Sequence, residues 1–252
     1  MRIEITGLTI YPVKSMKGIS LARTSLENEG LAHDRRFMVV REDGQFVTQR
    51  DVPRLALIHT FLQDMGVELA LDGHGSIMLP FDQVDGRTIE TAVWGDSCNT
   101  IDQGTDVSRW LSDALHSQQP LRIVRMAPGF TRPQTQAELL GEDTHTHFAD
   151  AAPLLVANEA SLDALNRELA RQGERPVPMN RFRPNIIIRG PDAFREHDLA
   201  VLAGPGYRLR MCHPCQRCKV TTIDQDSAKK HPHWQPYKTL AKMNPMPGTR
   251  RA

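Results

Sequence analysis

Chemistry is densest at Cys212, Cys215 and Cys218, a C-x-x-C-x-x-C run, with Cys98 standing apart. A thiolate is a soft metal ligand and a nucleophile, so four chemistries are open to such a run. Three Cys joined by His213, His231 or His233 would complete a four-ligand structural zinc site. An iron–sulfur cluster tolerates the spacing but needs a fourth Cys in reach. A thioredoxin-type dithiol wants its pair at a helix N-terminus, whereas the β-branched stretch that follows predicts a strand over 219–224. In the fourth chemistry, one thiolate ligates a metal that a cofactor brings with it. Arg217 and Lys219 flank Cys218, and positive charge favours its thiolate form.

The second set of candidates is cationic and dispersed. Lys14 and Ser15, in a loop closing at Gly18, offer an ammonium, a hydroxyl and backbone donors to an anion, or form a solvated turn. Gly30 to Phe37 carries His33, Asp34, Arg35 and Arg36 into an apolar strand, where a buried Asp–Arg pair competes with a ligand contact. Arg181, Arg183 and Asn185 surround Pro184 at the mouth of Ile186-Ile187-Ile188. Arg grips anions bidentately and Asn supplies donor and acceptor, a set suited to a planar anionic ligand. At Asn158-Glu159-Ala160-Ser161 a helix start presents free amides and a positive dipole end that suit a phosphate. Ordinary N-capping by Asn158 is the alternative there.

Positioning these groups falls to many short strands. Apolar segments bounded by turn residues predict strands over 3–12, 36–41, 45–49, 55–62, 67–71, 76–79 and 88–93. Further strands are expected over 121–126, 154–157, 185–189, 207–211 and 219–224. Val107, Trp110, Leu111, Ala114 and Leu115 at helical spacing predict a helix over 106–116 capped by Asp106. Ala160, Leu162, Leu165 and Leu169 predict another over 158–171, and a weaker helix is expected over 235–242. The fold class that follows is mainly β with a few helices, a barrel or an assembly of small sheets. A soft boundary near Gln118–Pro120 divides residues 1–119 from 120–252. The polar, aperiodic stretch 127–147, between the strands over 121–126 and 154–157, has the length of a functional loop.

Composition narrows the class. The 252 residues suffice for a real core, and 40% hydrophobic with 24% charged residues excludes a disordered chain. Thirty-one basic against thirty acidic residues leave a net charge of +1, which disfavours binding nucleic acid through bulk charge. No apolar run approaches the ~20 residues of a membrane helix. The N-terminus reads as a strand and not as a signal peptide, so a cytoplasmic location is expected. In a reducing compartment, clustered thiols point to metal or redox chemistry.

Taken in order, these pieces resemble the MOSC family over nearly the entire chain. They are Lys14-Ser15, Gly30 through Arg36, Phe148-Ala149-Asp150 with Pro153, the helix opening at Asn158, Arg181 through Asn185, and Cys215-Gln216-Arg217-Cys218 with Thr221-Thr222-Ile223-Asp224. The YcbX-like proteins and the mitochondrial amidoxime-reducing components are the nearer likeness. Phe182-Arg183-Pro184-Asn185 and Arg217-Cys218 with Thr221-Thr222 are its most specific parts.

The resemblance implies an N-terminal MOSC-associated β domain packed on a MOSC β-barrel, holding a molybdopterin-type molybdenum cofactor. It implies Cys218 as the metal ligand, and Lys14, Ser15 and Arg35 or Arg36 at the cofactor's phosphate end. Ser161 with its helix start is a further implied contact, and Arg183 with Asn185 would grip the pterin. Asp150 falls on a recurrent acidic position. The implied reaction is two-electron reduction of N-hydroxylated compounds, among them hydroxylaminopurines and amidoximes, with Asp224 or His213 supplying protons. Some relatives carry a C-terminal ferredoxin-like domain; here the residues end at Arg250-Arg251-Ala252. A separate ferredoxin- or flavoprotein-type electron donor is therefore expected, with no nucleic-acid or membrane partner. Two other readings stay open: a sulfur or molybdenum-cofactor carrier using Cys218, and a zinc-stapled binding module.

Overall fold

A computed structural model describes residues 2–82, 86–132 and 137–245. The chain opens with β1 (Glu4–Ile10), β2 (Ile19–Leu21), β3 (Leu26–Glu27), β4 (Gly30–Leu31), β5 (Phe37–Arg41) and β6 (Phe46–Val47). A 3-10 turn at Pro53–Leu57 precedes β7 (His59–Gln63), β8 (Gly66–Ala70), β9 (Ser76–Pro80), β10 (Thr88–Val93) and β11 (Asp96–Asp102). Then come α1 (Thr105–Leu115), β12 (Leu121–Met126), α2 (Ala137–Leu140), β13 (Val156–Asn158) and α3 (Glu159–Arg171). The last elements are β14 (Ile186–Arg189), β15 (Val201–Gly204), β16 (Tyr207–Arg210) and α4 (Tyr237–Met243). The fold is mainly β with a few helices, as expected.

Two sheets interlock the halves of the chain. The larger has the order β10-β11-β12-β5-β6, so β12 lies between β11 and β5 although it follows residue 120. The other has the order β13-β14-β1-β2, which places the first strand of the chain inside a sheet made from its second half. Strands from before and after the expected boundary at 119/120 thus pair within both sheets.

The apolar run of β5 explains its central place. Phe37 and Val39 pack with Leu55, Ile58, Leu69 and Leu111 on one face, while Met38 and Val40 pack with Val124 and Phe148 on the other. A strand buried on both sides needs no polar alternation. Each such side chain contributes about 1.5–3 kcal/mol of burial free energy. That core anchors Lys14, whose amide donates to Phe37 O at 2.8 Å, and Phe148, whose amide donates to Arg35 O at 3.1 Å.

Local expectations fail where backbone or hydroxyl chemistry overrides apolar pattern. The strand expected over 55–62 is the Pro53–Leu57 turn followed by β7, because Pro53 opens a 3-10 turn that buries Leu55. The strand expected over 219–224 is instead a 3-10 turn at Lys219–Thr222. Thr221 Oγ1 donates to Cys218 O at 3.0 Å and Thr222 Oγ1 to Lys219 O at 2.7 Å, so the hydroxyls claim carbonyls a ladder would use. Strand β11 escaped prediction since its buried positions include Asp96, Thr100 and Asp102. Helix α1 starts at Thr105 behind Gly104, so Asp106 lies in its first turn and does not cap it. Asn158 does cap α3, accepting from Ala160 N at 3.2 Å. No helix among the described residues is long and apolar enough to cross a membrane.

Candidate functional site

A cavity of about 830 Å³ opens between the loops entering β14, the start of α3 and the cysteine-bearing loop. Lys14, Ser15, Arg35, Arg183 and Asn185 line one wall; Cys212, Cys215 and Cys218 line another. Residues far apart in sequence thus meet, because β1 and β14 are antiparallel neighbours and carry their following and preceding loops to the same end. Gly30 assists at the rim. With φ at +126° and the place for a Cβ 2.9 Å from Pro153 O, only glycine lets these two segments touch.

On the basic wall each cation is held differently. Lys14 Nζ donates to Phe148 O at 2.7 Å and to Asp150 Oδ1 at 2.5 Å. Burial pulls the Lys14 ammonium below its ordinary value, against the opposing charge of Asp150. Burial would raise the Asp150 carboxyl, but the Lys14 charge and hydrogen bonds from Lys14 and Trp94 hold it below the usual carboxylate range. The Asp150 side chain is 62% accessible and lines the cavity. Arg35 pairs with buried Asp34, donates to Asn185 Oδ1 at 2.9 Å and reaches Arg183 O at 3.3 Å.

Arg183 has no carboxylate partner among the described residues. It donates to Met16 O at 2.7 Å and lies 4.1 Å from the ring centre of Tyr11, where Arg35 also lies at 4.4 Å. Burial lowers its pKa to about 10. Ser15, Arg35 and Arg183 all have positive φ, at 73°, 46° and 53°. For non-glycine residues this costs about 1–2 kcal/mol each, strain that the surrounding packing must hold.

Asn185 is spent on architecture. Its Oδ1 accepts from Arg35 and from Leu155 N at 3.1 Å, and Nδ2 donates to Thr9 O at 3.2 Å, leaving one of its N–H groups for a ligand.

On the thiol wall all cysteines are free. Cys218 precedes the 3-10 turn in extended conformation and faces the cavity. Its neighbouring cations turn elsewhere. Arg217 donates to Cys215 Sγ at 3.0 Å and to Phe182 O at 2.5 Å, while Lys219 Nζ sits 4.0 Å from the Trp234 ring centre. The flanking charges thus serve loop packing, contrary to the expectation that they face Cys218. No group of three or more His, Cys, Asp or Glu side chains among the described residues is placed to hold a metal, which removes support from the zinc-stapled reading.

Three expected site residues are placed otherwise. Arg36 lies over the Phe81 ring at 5.5 Å and is not on the cavity wall; it follows the left-handed turn residue Arg35, at φ 46°, just before β5. Asp224 is also off the wall: its carboxylate accepts from Arg181 at 3.0 Å, from Ser227 Oγ at 2.8 Å, and from the amides of Asp226 and Ser227. Burial opposes ionisation there, but the Ser227 and amide hydrogen bonds with Arg181 hold its pKa below the ordinary value. A carboxyl so held is no proton donor near neutrality; His213 does line the cavity. Ser161 lines it too, yet its hydroxyl is committed to Glu196 at 2.7 Å.

Sequence reading passed over Tyr11, Arg50, Trp94 and Glu196. Tyr11 is the platform under two guanidinium groups, Arg50 lies 4.6 Å from the Trp94 ring centre, and Trp94 Nε1 donates to Asp150 at 2.9 Å. The aromatic Tyr11 directly before Pro12, where β1 runs out, was the one available signal; the others sit in segments without a motif.

The donor set suits a particular kind of guest. A half-buried guanidinium without a direct ion pair favours an anion, Ser15 and Lys14 line the same cavity, and a free soft thiol faces the same space. A phosphate-bearing cofactor that carries a thiophilic metal matches both walls.

Comparison with known proteins agrees. The MOSC N-terminal beta barrel domain matches residues 2–118 and the MOSC domain matches residues 143–250. Mitochondrial amidoxime-reducing component 1 of Xenopus laevis is 32% identical over 235 residues, covering 88% of this chain and 66% of that protein. Its Homo sapiens namesake is 31% identical over 230 residues, covering 88% and 67%. Molybdenum cofactor sulfurase of Bos taurus is 30% identical over 243 residues, covering 90% of this chain and 27% of that protein. The chain thus spans about two thirds of the amidoxime-reducing relatives. With both domains matched in order along a cavity that joins them, the chain belongs to the MOSC family, in the branch where a MOSC N-terminal domain precedes the MOSC domain.

Proposed function

We propose that the cavity holds a molybdopterin-type molybdenum cofactor and that the protein is an oxidoreductase reducing small N-hydroxylated compounds, hydroxylaminopurines and amidoximes among them. The observation that carries this reading is Arg183, without a direct ion pair among the described residues, facing the same cavity as the free Cys218. Lys14, Ser15 and Arg35 would hold the phosphate end, Arg183 and Asn185 would grip the pterin, and Cys218 would ligate the metal. When bound, the group supplies two-electron redox chemistry.

The chain's own residues provide the rest. Tyr11 and Asp34 keep Arg35 and Arg183 in place. Leu162, Leu165 and Met179 give the cavity an apolar flank. Reduction of an N–OH group to N–H consumes two electrons and two protons and releases water. The electrons come from a separate ferredoxin- or flavoprotein-type donor, and His213 is placed to pass protons from solvent. Domain division at 119/120 and a cytoplasmic location belong to this proposal as well.

Metal analysis and pterin fluorescence of protein made in a cofactor-competent host test the reading, together with protection of cells against hydroxylaminopurine. Wild type should carry molybdenum and protect; Cys218→Ala should do neither at equal expression. Cofactor-free protein without reductase activity, when supplied with reduced donor, would overturn it.

The sulfurase relatives favour a second reading, a sulfur or cofactor carrier acting through Cys218. A labile sulfur adduct on Cys218 in mass spectrometry, with no turnover of hydroxylamino compounds, would select it.

A further inference from the structure

Lysine is segregated along this chain. Of seven lysines, Lys14 and Lys17 lie near the start and five fall between 219 and 242; every cation between 18 and 218 is arginine or histidine. Lys14 and Lys17 are paired with Asp150 and Asp226. Lys219, Lys229, Lys230, Lys238 and Lys242 are all exposed, and none of them forms an ion pair among the described residues. The two aspartates of the same stretch are taken elsewhere, Asp224 by Arg181 at 3.0 Å and Asp226 by Lys17 at 3.2 Å.

These lysines share one surface. Asp224 N donates to Lys229 O and His231 N to Thr222 O, each at 2.9 Å, which ties Lys229 and Lys230 to the 3-10 turn at Lys219–Thr222. Lys219 Nζ stands 4.0 Å from the ring centre of Trp234, a side chain 40% exposed. Lys238 N donates to Trp234 O at 3.1 Å, and Lys242 follows one turn later on the same face of α4. The surface adjoins the cavity at two points. Lys219 is bonded to Cys218, and Lys230 Nζ donates at 3.0 Å to the carbonyl of Arg50, a cavity residue.

Exposed charges of one sign repel each other, so folding gives no reason to gather them. An arriving acidic surface does. Lysine is a strongly hydrated charge on a flexible stem, suited to steering a loose and rapid encounter. Electron-transfer encounters are of that kind, small and transient. Phosphate recognition on nucleic acid favours the arginine fork, and residues 219–245 contain no arginine.

We propose that this lysine face is where the electron donor docks, an acidic ferredoxin- or flavodoxin-type protein seated over Trp234 beside Cys218. The proposal rests on the reductase reading for the need of electrons and adds where they enter. Each encounter oxidises the donor by one electron, so two encounters supply the pair that reduction of N–OH consumes.

The test immobilises a plant-type ferredoxin and, in a second arm, a flavodoxin, and measures binding of the full cofactor-loaded chain by biolayer interferometry. Wild type should bind at about 50 mM salt and lose about tenfold in affinity by about 300 mM, as screening grows. Lys229→Glu and Lys238→Glu should each weaken binding roughly fivefold at the lower salt. Lys229→Arg and Lys238→Arg keep the charge and should stay within about twofold of wild type. Arg109→Glu makes the same charge change on α1, which packs on β9 and β12, and should alter binding less than about twofold. Turnover driven by reduced methyl viologen, a small donor that needs no docking surface, should be unchanged in the lysine variants.

Binding to neither donor, binding indifferent to salt, or an equal loss in Arg109→Glu overturns the proposal. Tighter capture of a DNA duplex or of phosphatidylserine vesicles through the same lysines overturns it too. A chain that binds the donors as expected yet reduces no N-hydroxylated compound with viologen would overturn the reductase reading and leave the acidic-protein face standing, so the two failures are distinguishable.

Discussion

The basic wall and the cysteine loop face one cavity and are built in opposite ways. On the wall, Arg35 is fixed by Asp34, Asn185 and the Tyr11 ring, and Lys14 by Phe148 and Asp150. Its backbone is held at positive φ in Ser15, Arg35 and Arg183. On the loop, residues 211–218 form no regular structure, and the Cys212 and Cys215 sulfurs meet carbonyls only at 3.6–3.9 Å. The difference separates two tasks. Cations that recognise an anion lose affinity when they move, so packing holds them in advance, while a thiol that bonds a metal gains its geometry from the bond itself.

That contrast can be broken at four points of decreasing effect. Cys218→Ala should empty the protein of molybdenum while leaving the thermal melt within about 0.5 kcal/mol of wild type, since the thiol has no packing role; metal analysis and calorimetry decide it. Arg183→Met should weaken cofactor retention by about 10- to 100-fold yet stabilise the cofactor-free chain by roughly 1 kcal/mol or more, because a half-buried charge without a direct ion pair is removed. Opposite signs in retention and melting temperature would separate a ligand-directed cation from a structural one.

Asp150→Asn leaves Lys14 buried beside a neutral partner. Because Asp150 is 62% accessible, the loss should be only about 1–2 kcal/mol. The Asp150 carboxyl is held below its unfolded value near ~4, so its contribution is whole above that pH and is lost as pH falls through the folded value. Urea melts from neutral pH to pH 3 should therefore show a constant gap between wild type and variant down to about pH 4 and the start of its narrowing below that. Last, Arg36→Ala should change cofactor content less than about twofold, since Arg36 is off the wall and packs over the Phe81 ring. A larger loss would return Arg36 to the site.

Sequence by itself determined the mainly β class, the caps and core face of α3, and the membership of Cys218, Lys14 and Arg183 in one site. These rest on information local to a segment: side-chain period, capping oxygens and short motifs whose order along the chain is diagnostic. Only the tertiary structure decided which arginine of Arg35 and Arg36 enters the cavity, because the two sit in the turn before β5, where Arg35 is held at positive φ by Asp34, Asn185 and the Tyr11 ring. It also decided that Asp224 is bound by Arg181 and Ser227, that Ser161 is claimed by Glu196, and that β1 and β12 cross between halves. Each of these depends on a partner 30 or more residues away or on a competing hydrogen bond, and no local pattern in a chain encodes which of its distant groups arrives first at a shared carboxylate.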